Sequence, residues 1–290
     1  MTDEGFRVNQ FVSSIIKLLK VQRIPPRHSQ QRLRPLTKAG NQQARKPNVT
    51  AVIGEDCKDT RPVFVEKARE CGSKIVFAQD DCKILSSHSD NRGRMFYETE
   101  EYPELETELQ GFCQSNNANT ILHSVSELRR AGWILPEEAV RKGFANVCRM
   151  TGLRGRWQTV ATAPLVICDT GHNSHGLRYT ADQLRSILCC KDRGKLRIVF
   201  GMVSDKDIDN VLALMPSDAV WYFTQASVKR ALPSETLRAM AAVHGHKGRC
   251  FHSVQEAFAT ARDDASPQDV IFVGGSTFVV SDLMSLPEFC

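Results

Sequence analysis

The residues of this chain best suited to chemistry follow a short apolar segment at residues 164–168. The run there reads Asp169, Thr170, Gly171, His172 and Asn173. An aspartate accepts hydrogen bonds from a ribose hydroxyl or holds a metal-bound water, and a histidine can donate to a carboxylate or a phosphate. The alternative interpretation is a polar turn in which one side chain caps the following helix. Composition alone leaves both interpretations open.

Two further segments carry groups that bind anions. Arg156 follows Gly155, and a guanidinium can direct two parallel donors at a phosphate, although a lone arginine is more often a surface residue. Residues 274–277 read Gly-Gly-Ser-Thr. Small residues expose backbone N–H groups and Ser276 adds a hydroxyl, so this segment can hold a carboxylate or a phosphate. The alternative for this segment is a tight turn between a strand and a helix.

The elements around these residues alternate between strand and helix patterns from residue 158 onward. Strands are predicted at 164–168, 195–200, 219–223 and 269–273, and helices at 177–188, 208–214, 233–244 and after Ser253. Near-continuous apolar strands separated by helices are typical of a parallel sheet covered on both faces. We therefore predict an α/β fold with a Rossmann-like, mostly parallel sheet in a C-terminal domain. In such sheets ligands bind beyond the carboxyl ends of the strands.

The patterns upstream predict a partial α/β domain at residues 49–150. A helix at 62–71 lies between strands at 49–53 and 74–78, which indicates a βαβ unit. Helices are also predicted at 119–131 and 136–147, whereas 80–105 is predicted to be irregular with one strand at 94–99. Gly152 and Gly155 favour a boundary between residues 150 and 151, so the C-terminal domain is predicted at 151–290. Residues 1–48 lack periodic apolar positions and are predicted to be poorly ordered.

Composition limits the classes of function. The net charge is +5 with a pI near 8.7, and the first fifty residues hold only two acidic residues. A basic segment can attract nucleic acid or anionic lipid, and the alternative is a solvated, poorly ordered segment, which we favour. The segment has few aromatic residues on which bases could stack, so we expect no nucleic-acid partner. We also expect no membrane partner. The ten cysteines are scattered without a CxxC pair, which is typical of a reducing compartment. Since no apolar run approaches the ~20 residues that span a bilayer, we expect a cytoplasmic protein.

Several collinear segments resemble the C-terminal part of the folylpolyglutamate/dihydrofolate synthases, a family of the Mur ligase superfamily. The segments that carry the resemblance are residues 155–158, 166–173 and 272–276, joined by 200–207 and 229–233. Residues 111–117 resemble a GxYQxxN segment, although Cys113 stands where an aromatic residue is expected. The resemblance covers roughly residues 49–290 and is strongest from about Asn117 onward.

The resemblance implies an ATP-dependent ligase that joins L-glutamate to dihydropteroate or tetrahydrofolate through an acyl phosphate. ATP and Mg2+ are the implied cofactors, folate or dihydropteroate and L-glutamate the partners, and a monomer the expected state. For the nucleotide, it implies that Arg156 reaches the phosphates across a domain cleft, Asp169 contacts the ribose and Asn117 lies near the adenine. His172 and Ser276 are implied to lie near the incoming glutamate. Arg156 and His172 are the implied catalytic residues.

The chain also departs from the family's pattern. No GxxxxGK[ST] motif occurs in it, so the loop that holds the β- and γ-phosphates is missing. The family's metal-binding lysine, which is carbamylated, has one candidate equivalent, Lys38, followed by a longer polar stretch than expected. We expect a fragment whose first 48 residues are not native family sequence and which has little turnover alone. A nucleotide- or folate-binding protein without catalysis is the alternative.

Overall fold

The computed structural model describes residues 49–90, 93–189 and 194–289. The chain divides into two compact units between Leu153 and Arg154, three residues beyond the boundary predicted from the sequence. Within the described ranges, no helix is long and apolar enough to cross a membrane. Each unit has a hydrophobic core of its own.

The first unit opens with the predicted βαβ arrangement. Strand β1 (Ala51–Ile53) pairs in parallel with strand β2 (Ile75–Phe77), and helix α1 (Arg61–Glu70) connects them. Pro62 lies in the first turn of α1, where its fixed φ suits a helix start. Arg61 bonds to Asp56 and, through two nitrogens, to Asp80 in a short 3-10 helix after β2 (Ala78–Asp80). These ion pairs tie the start of the helix to the carboxyl end of β2.

A three-stranded antiparallel sheet follows, where the sequence predicted an irregular segment with one strand. Its strands are β3 (Ser86–Ser89), β4 (Met95–Glu98) and β5 (Leu105–Thr107), in the order β3-β4-β5. Every residue of β3 is exposed, so that strand lacks the apolar alternation by which strands are recognised. The prediction of an irregular segment was therefore wrong, and only β4 was anticipated.

Three helices complete the first unit: α2 (Cys113–Arg130), α3 (Glu137–Ala145) and α4 (Val147–Thr151). Helix α2 begins six residues before the predicted start. Its first turns carry buried polar side chains, which hid the helical pattern. Asn119 is one of them, and it donates to the Ala78 carbonyl (2.7 Å) and accepts from the Lys83 N–H (2.8 Å). Leu122 and Val125 of α2 pack with Tyr97 and Leu105 in the core of this unit.

The second unit is built on a six-stranded sheet in the order β10-β9-β8-β11-β7-β6. Its strands are β6 (Gln158–Thr162), β7 (Leu165–Asp169), β8 (Leu196–Phe200), β9 (Val220–Phe223), β10 (Gly248–Cys250) and β11 (Val270–Gly274). All neighbouring strands run parallel except β6, which is antiparallel to β7. The predicted α/β fold with a mostly parallel sheet is confirmed.

Helices cover both faces of this sheet. They are α5 (Ser174–Leu188), α6 (Ile208–Leu214), α7 (Ser234–Val243), α8 (Val254–Asp263) and α9 (Thr277–Met284), with a short 3-10 helix at Pro287–Phe289. Helices α5, α6 and α7 pack in one core, and α8 and α9 in the other. Strand β11 supplies Phe272 to the first core and Val273 to the second, because successive side chains of a strand point to opposite faces.

The two outer strands of the sheet were not predicted. Residues 158–162 of β6 are half-buried or exposed, and the pairing of β6 with β7 shifts register between Thr159 and Ala161. Strand β10 has only three residues and includes the charged Arg249. Neither segment carries the apolar run that marked the central strands, so the pattern could not separate them from loops.

A buried charged pair joins strand β8 to the residue that precedes β11. Arg197 of β8 bonds through Nε to Asp269 Oδ2 (2.9 Å), and both side chains are at least nine-tenths buried. Asp269 Oδ1 also accepts from the Lys195 N–H (2.9 Å) and the Ser266 hydroxyl (2.8 Å), and Arg197 donates to the Tyr222 hydroxyl (2.7 Å). Burial alone would raise the pKa of Asp269, yet the hydrogen bonds hold that pKa below its usual value.

A buried histidine lies three residues after the end of α7. His246 stacks on Trp221, with ring centroids 4.3 Å apart, and its Nε2 lies 2.8 Å from the Leu212 carbonyl oxygen. A carbonyl only accepts, so Nε2 bears the proton and Nδ1 has the lone pair. That Nδ1 has no hydrogen-bond partner in the described part of the chain. Burial lowers the pKa of His246, because the apolar surroundings disfavour the charged ring.

Candidate functional site

The carboxyl ends of three strands meet at one edge of the second unit's sheet. Strand β11 lies between β7 and β8, and its last residue, Gly274, pairs in register with Asp169 on one side and with Phe200 on the other. The loops that begin at residues 169, 200 and 274 are therefore neighbours. This is the edge at which ligands bind in open α/β sheets.

Asp169 fastens two segments together at this edge. Its Oδ2 accepts from the Trp157 N–H (2.7 Å), and its Oδ1 accepts from the Gly171 N–H (2.7 Å). The side chain is buried, with 9% of the residue exposed. The Thr170 N–H adds a bond to the Gly155 carbonyl (2.8 Å). The loop after β7 thus holds the turn that precedes β6 by side-chain and backbone bonds together.

Arg156 lies in that turn, between two residues with positive φ. Gly155 has φ +68° and Trp157 has φ +47°, a conformation that costs a residue with a side chain about 1 kcal/mol or more. A Cβ on Gly155 would lie 2.6 Å from Val280 Cγ1, so only glycine fits. The Gly155 N–H donates to Gln158 Oε1 (2.8 Å). The backbone of Arg156 is therefore fixed on both sides, and its side chain is partly buried.

His172 and Asn173 have different local partners. His172 Nδ1 lies 3.1 Å from the Thr170 carbonyl oxygen, so the neutral ring carries its proton on Nδ1 and its lone pair on Nε2. Asn173 is the N-cap of α5, and its Oδ1 accepts from the Gly176 N–H (2.7 Å). The capping interpretation of this run therefore holds for Asn173, while His172 keeps a nitrogen that can accept a proton.

Ser276 caps the last long helix. Its hydroxyl oxygen accepts from the Phe278 N–H (3.2 Å) at the start of α9, and the residue is 2% exposed. Gly275 precedes it with φ +90°, and a Cβ there would lie 2.7 Å from the Gly201 carbonyl oxygen. The glycine therefore permits the loops after β8 and β11 to approach closely. The hydroxyl proton of Ser276 is not used by the cap bond, because the oxygen is the acceptor there.

Two further segments of the resemblance lie against each other. Val203 and Ala231 form an isolated antiparallel bridge, and the Leu232 N–H donates to the Met202 carbonyl (2.9 Å). The guanidinium carbon of Arg230 lies 4.9 Å from the centre of the Phe278 ring, within cation–π range. The segment 200–207 and the segment 229–233 are thus in contact with each other, and the second also touches the start of α9.

Asn117 belongs to the other unit. It lies on α2, and its Nδ2 donates to Gln114 Oε1 (3.0 Å). Both side chains line a small pocket with Tyr97 and Phe144, and burial raises the pKa of Tyr97 above its usual value. Lys38 lies outside the described residues. The structure thus brings Arg156, Asp169, His172 and Ser276 to one edge of a single sheet, and places Asn117 in the other unit.

The sequence did not identify Trp157, Gln158 and Thr170 as functional residues. Trp157 and Gln158 fix the turn around Arg156 through a backbone N–H and a side-chain oxygen. The buried Thr170 hydroxyl has no hydrogen-bond partner among the residues that the structure describes. Periodicity carries no signal for such roles, but the unbroken Gly-Arg-Trp-Gln run of the family resemblance marked the segment.

Side chains that could together hold a metal ion do not cluster in the described residues. In ranges 49–90, 93–189 and 194–289, no three His, Cys, Asp or Glu side chains converge in a way that could hold an ion. The one cysteine next to the site, Cys168, is buried, and burial raises the pKa of its thiol to about 12. It therefore stays a neutral thiol, which is neither a metal ligand nor a nucleophile at neutral pH.

Comparison with known proteins matches this half of the chain to one family. Residues 155–277 match the family described as Mur ligase, glutamate ligase domain. The dihydrofolate synthase/folylpolyglutamate synthase of Escherichia coli (strain K12) is 33% identical over 171 residues, which are 59% of this chain and 37% of that protein.

Solved structures agree over a longer stretch. Escherichia coli FolC in complex with DHPP and ADP superimposes with a TM-score of 0.68 and 26% identity, over 87% of this chain and 56% of that one. A bifunctional folylpolyglutamate synthase/dihydrofolate synthase with Mn, AMPPNP and L-glutamate bound superimposes with a TM-score of 0.62 and 26% identity. That match covers 86% of this chain and 56% of that one. This chain therefore spans about half the length of those solved proteins.

Proposed function

This chain is homologous to the folylpolyglutamate/dihydrofolate synthases, and on that premise we propose that its second unit is the glutamate-accepting part of an ATP-dependent ligase. The ligase would join L-glutamate to dihydropteroate or a tetrahydrofolate. One observation carries the proposal: the pairing of Asp169 with Gly274 brings the segments at 155–158, 169–173 and 274–276 to one edge of the sheet. Both solved relatives are described with nucleotides bound.

The reaction would have two steps. The γ-phosphoryl group of ATP moves to a carboxylate of the pteroate or folate, which leaves ADP and an acyl phosphate. The amine of glutamate then attacks the acyl carbon, the C–O bond to phosphate breaks, and the nitrogen loses a proton. Such catalysis consists mostly of positioning and charge stabilisation. A divalent ion supplies charge neutralisation in ATP chemistry, and the described residues offer no cluster of three ligands for it.

The side chains of the second unit suit these tasks. Arg156 carries a permanent positive charge on a turn fixed at both sides, which suits a phosphate. His172 has its lone pair on Nε2, which suits the proton that the glutamate nitrogen must lose. Ser276 has a hydroxyl proton to donate and lies at the start of an eight-residue helix, where a carboxylate is favoured. We assign Asp169 to the ribose of the nucleotide.

The missing phosphate-binding loop favours a second candidate, a nucleotide- or folate-binding protein without turnover. No GxxxxGK[ST] occurs in the sequence. Without backbone N–H groups around the β- and γ-phosphates, binding energy for the transferred group is lost. We expect the purified chain to bind ATP, and we expect this binding to depend on Arg156. We expect no phosphate release that requires ATP, dihydropteroate and L-glutamate together.

Phosphate release and ATP titration test both candidates. Arg156→Ala should weaken ATP binding about tenfold or more, as expected for loss of a hydrogen bond to a charged group. Arg154→Ala is the matched control, since Arg154 lies two residues away, is exposed, and donates to the Phe289 carbonyl at 3.3 Å. Release that requires all three substrates would establish the ligase and refute the second candidate. Absence of both release and Arg156-dependent ATP binding would contradict the proposal as a whole.

A further inference from the structure

We propose that Arg230 binds the side-chain carboxylate of the incoming glutamate and selects this amino acid over a neutral one. The inference rests on the proposed function, in which L-glutamate is a substrate, and it deepens that function at the same site. Glutamate carries two carboxylates. The start of α9 at Ser276 suits one of them, and the second needs a cation of its own.

The first argument is the place of Arg230 along the edge of the sheet. Four neighbouring strands run in the order β9-β8-β11-β7. Asp169, which we assign to the ribose, ends β7, and Ser276 follows β11. Arg230 belongs to the segment that follows β9, two strands further along. A substrate that extends from the nucleotide past Ser276 therefore points toward the segment that carries Arg230.

The second argument is the direction of the Arg230 side chain. Its guanidinium carbon lies 4.9 Å from the centre of the Phe278 ring. Phe278 is the residue whose N–H donates to the Ser276 hydroxyl oxygen at 3.2 Å. The side chain thus reaches from the loop after β9 back to the helix that follows β11. Its positive charge therefore lies beside the start of α9, next to the position that suits the first carboxylate.

The third argument is the hydrogen-bonding capacity that Arg230 keeps for a ligand. A guanidinium has five N–H donors. Among the residues that the structure describes, Asp205 is the one carboxylate paired with Arg230, and the distance from Nη1 to Oδ2 is 3.5 Å. Charged hydrogen bonds of full strength are about 2.7–2.9 Å long, so this pairing is loose. The Arg230 and Asp205 side chains are 55% and 53% exposed, which leaves the donors within reach of a second carboxylate.

The fourth argument is that the backbone of Arg230 is held in place. Its carbonyl accepts from the Ser204 N–H (3.1 Å), and the next residue, Ala231, forms the antiparallel bridge with Val203. The base of the side chain is thus fixed while the guanidinium lies over the Phe278 ring. A group ordered before binding loses less freedom when it binds. The planar guanidinium also matches a carboxylate with two parallel bonds, which a neutral side-chain amide cannot accept equally well.

Titration with L-glutamate and L-glutamine tests the inference, because the two amino acids differ only in a side-chain carboxylate and an amide. Each is titrated into the full chain in the presence of ATP, for the wild type and for Arg230→Gln. The wild type should bind glutamate at least about tenfold more tightly than glutamine. Arg230→Gln should lose this preference and bind both amino acids as weakly as the wild type binds glutamine.

Arg262→Gln is the matched control for Arg230→Gln. The Arg262 side chain is 47% exposed, pairs with Glu288, and lies over an aromatic ring, that of Phe258, at 5.7 Å. It thus shares the exposure, the ion pair and the ring contact of Arg230, but it lies near the end of α8. Arg262→Gln should keep the full preference for glutamate. Arg230→Lys keeps the charge and loses the planar group, so a reduced preference should persist.

Three results would overturn the inference. The first is an unchanged preference for glutamate in Arg230→Gln, which would leave Arg230 as a partner of Asp205 alone. The second is an equal loss for both amino acids, which would indicate contact with a group that both share. The third is a wild type without any preference for glutamate. The proposed function is decided separately by ATP binding that depends on Arg156, so its failure and that of the inference can be told apart.

Discussion

The buried pair of Arg197 and Asp269 should contribute far more to stability than an exposed pair of the same length. Arg262 and Glu288 lie 2.9 Å apart with side chains 47% and 42% exposed, and Arg197 and Asp269 also lie 2.9 Å apart, with 9% and 5% exposed. The two pairs therefore have the same length and differ in burial, and Asp269 accepts further hydrogen bonds from Lys195 and Ser266. This makes Glu288→Ala a matched control for Asp269→Ala.

The expected magnitudes follow from burial. Asp269→Ala leaves a buried guanidinium without its carboxylate, which costs about 3–5 kcal/mol. Glu288→Ala removes a solvated pair, which costs about 0–1 kcal/mol. Typical total stabilities are about 5–15 kcal/mol, so the first variant loses a large share. The pKa of Asp269 is lowered in the folded protein. The ionised Asp269 therefore stabilises the fold fully above the ordinary aspartate pKa of about 3.9, and this stabilisation is lost as the pH falls through the lowered value. The difference in stability between the two variants should disappear in acid.

Urea unfolding followed by circular dichroism measures both variants. Asp269→Ala should unfold at a clearly lower urea concentration than Glu288→Ala, with an unchanged slope. The double variant Arg197→Met with Asp269→Leu should recover only part of the loss. It removes the buried unpaired charge, but it leaves the Lys195 N–H and the Tyr222 hydroxyl without these partners. Equal losses for Asp269→Ala and Glu288→Ala, within about 0.5 kcal/mol, would refute the assignment of the stability difference to burial.

Three further substitutions test the site and its surroundings by the same unfolding measurement. Gly155→Ala should cost about 2–4 kcal/mol, because it adds a left-handed penalty to a clash with Val280; a loss below 1 kcal/mol would contradict the strained turn. Asn173→Ala should cost about 1 kcal/mol through loss of the N-cap, and no loss would contradict capping. Because burial lowers the pKa of His246, the unfolded state binds the proton first, so stability should fall as the pH drops below about 6.5. His246→Phe should flatten this pH dependence of stability, whereas His252→Asn, at an exposed position, should not. The same dependence of stability on pH in both variants would contradict its assignment to His246.

The sequence predicted the central architecture of the second unit because its signals are local. Helix α6 was predicted at residues 208–214 and is found there, and the strands at β7, β8, β9 and β11 lie within one residue of their predicted ends. Strands β6 and β10 were missed because edge strands need no continuous apolar run. The hairpin strand β3 was missed because all of its side chains face solvent.

Part of the candidate site could be predicted because its signals are also local in the sequence. The loops at 169–173 and 274–277 could be placed at one sheet edge because parallel strands carry their carboxyl ends to the same side. The bond between Asp169 and Trp157 could not be predicted, since it joins residues twelve positions apart through a backbone group. Positive φ at Trp157 was equally hidden, because a tryptophan gives no indication of left-handed backbone.

The short, irregular outer strands of the six-stranded sheet affect the tendency of this protein to aggregate at high concentration. A long, flat edge strand offers a row of open backbone groups that another chain can extend, and aggregation often starts there. Strand β10 offers three residues, with the charged Arg249 at its centre. Strand β6 breaks register between Thr159 and Ala161, and such irregularities twist an edge away from regular pairing. Both ends of the sheet are thus poor templates for intermolecular strand addition.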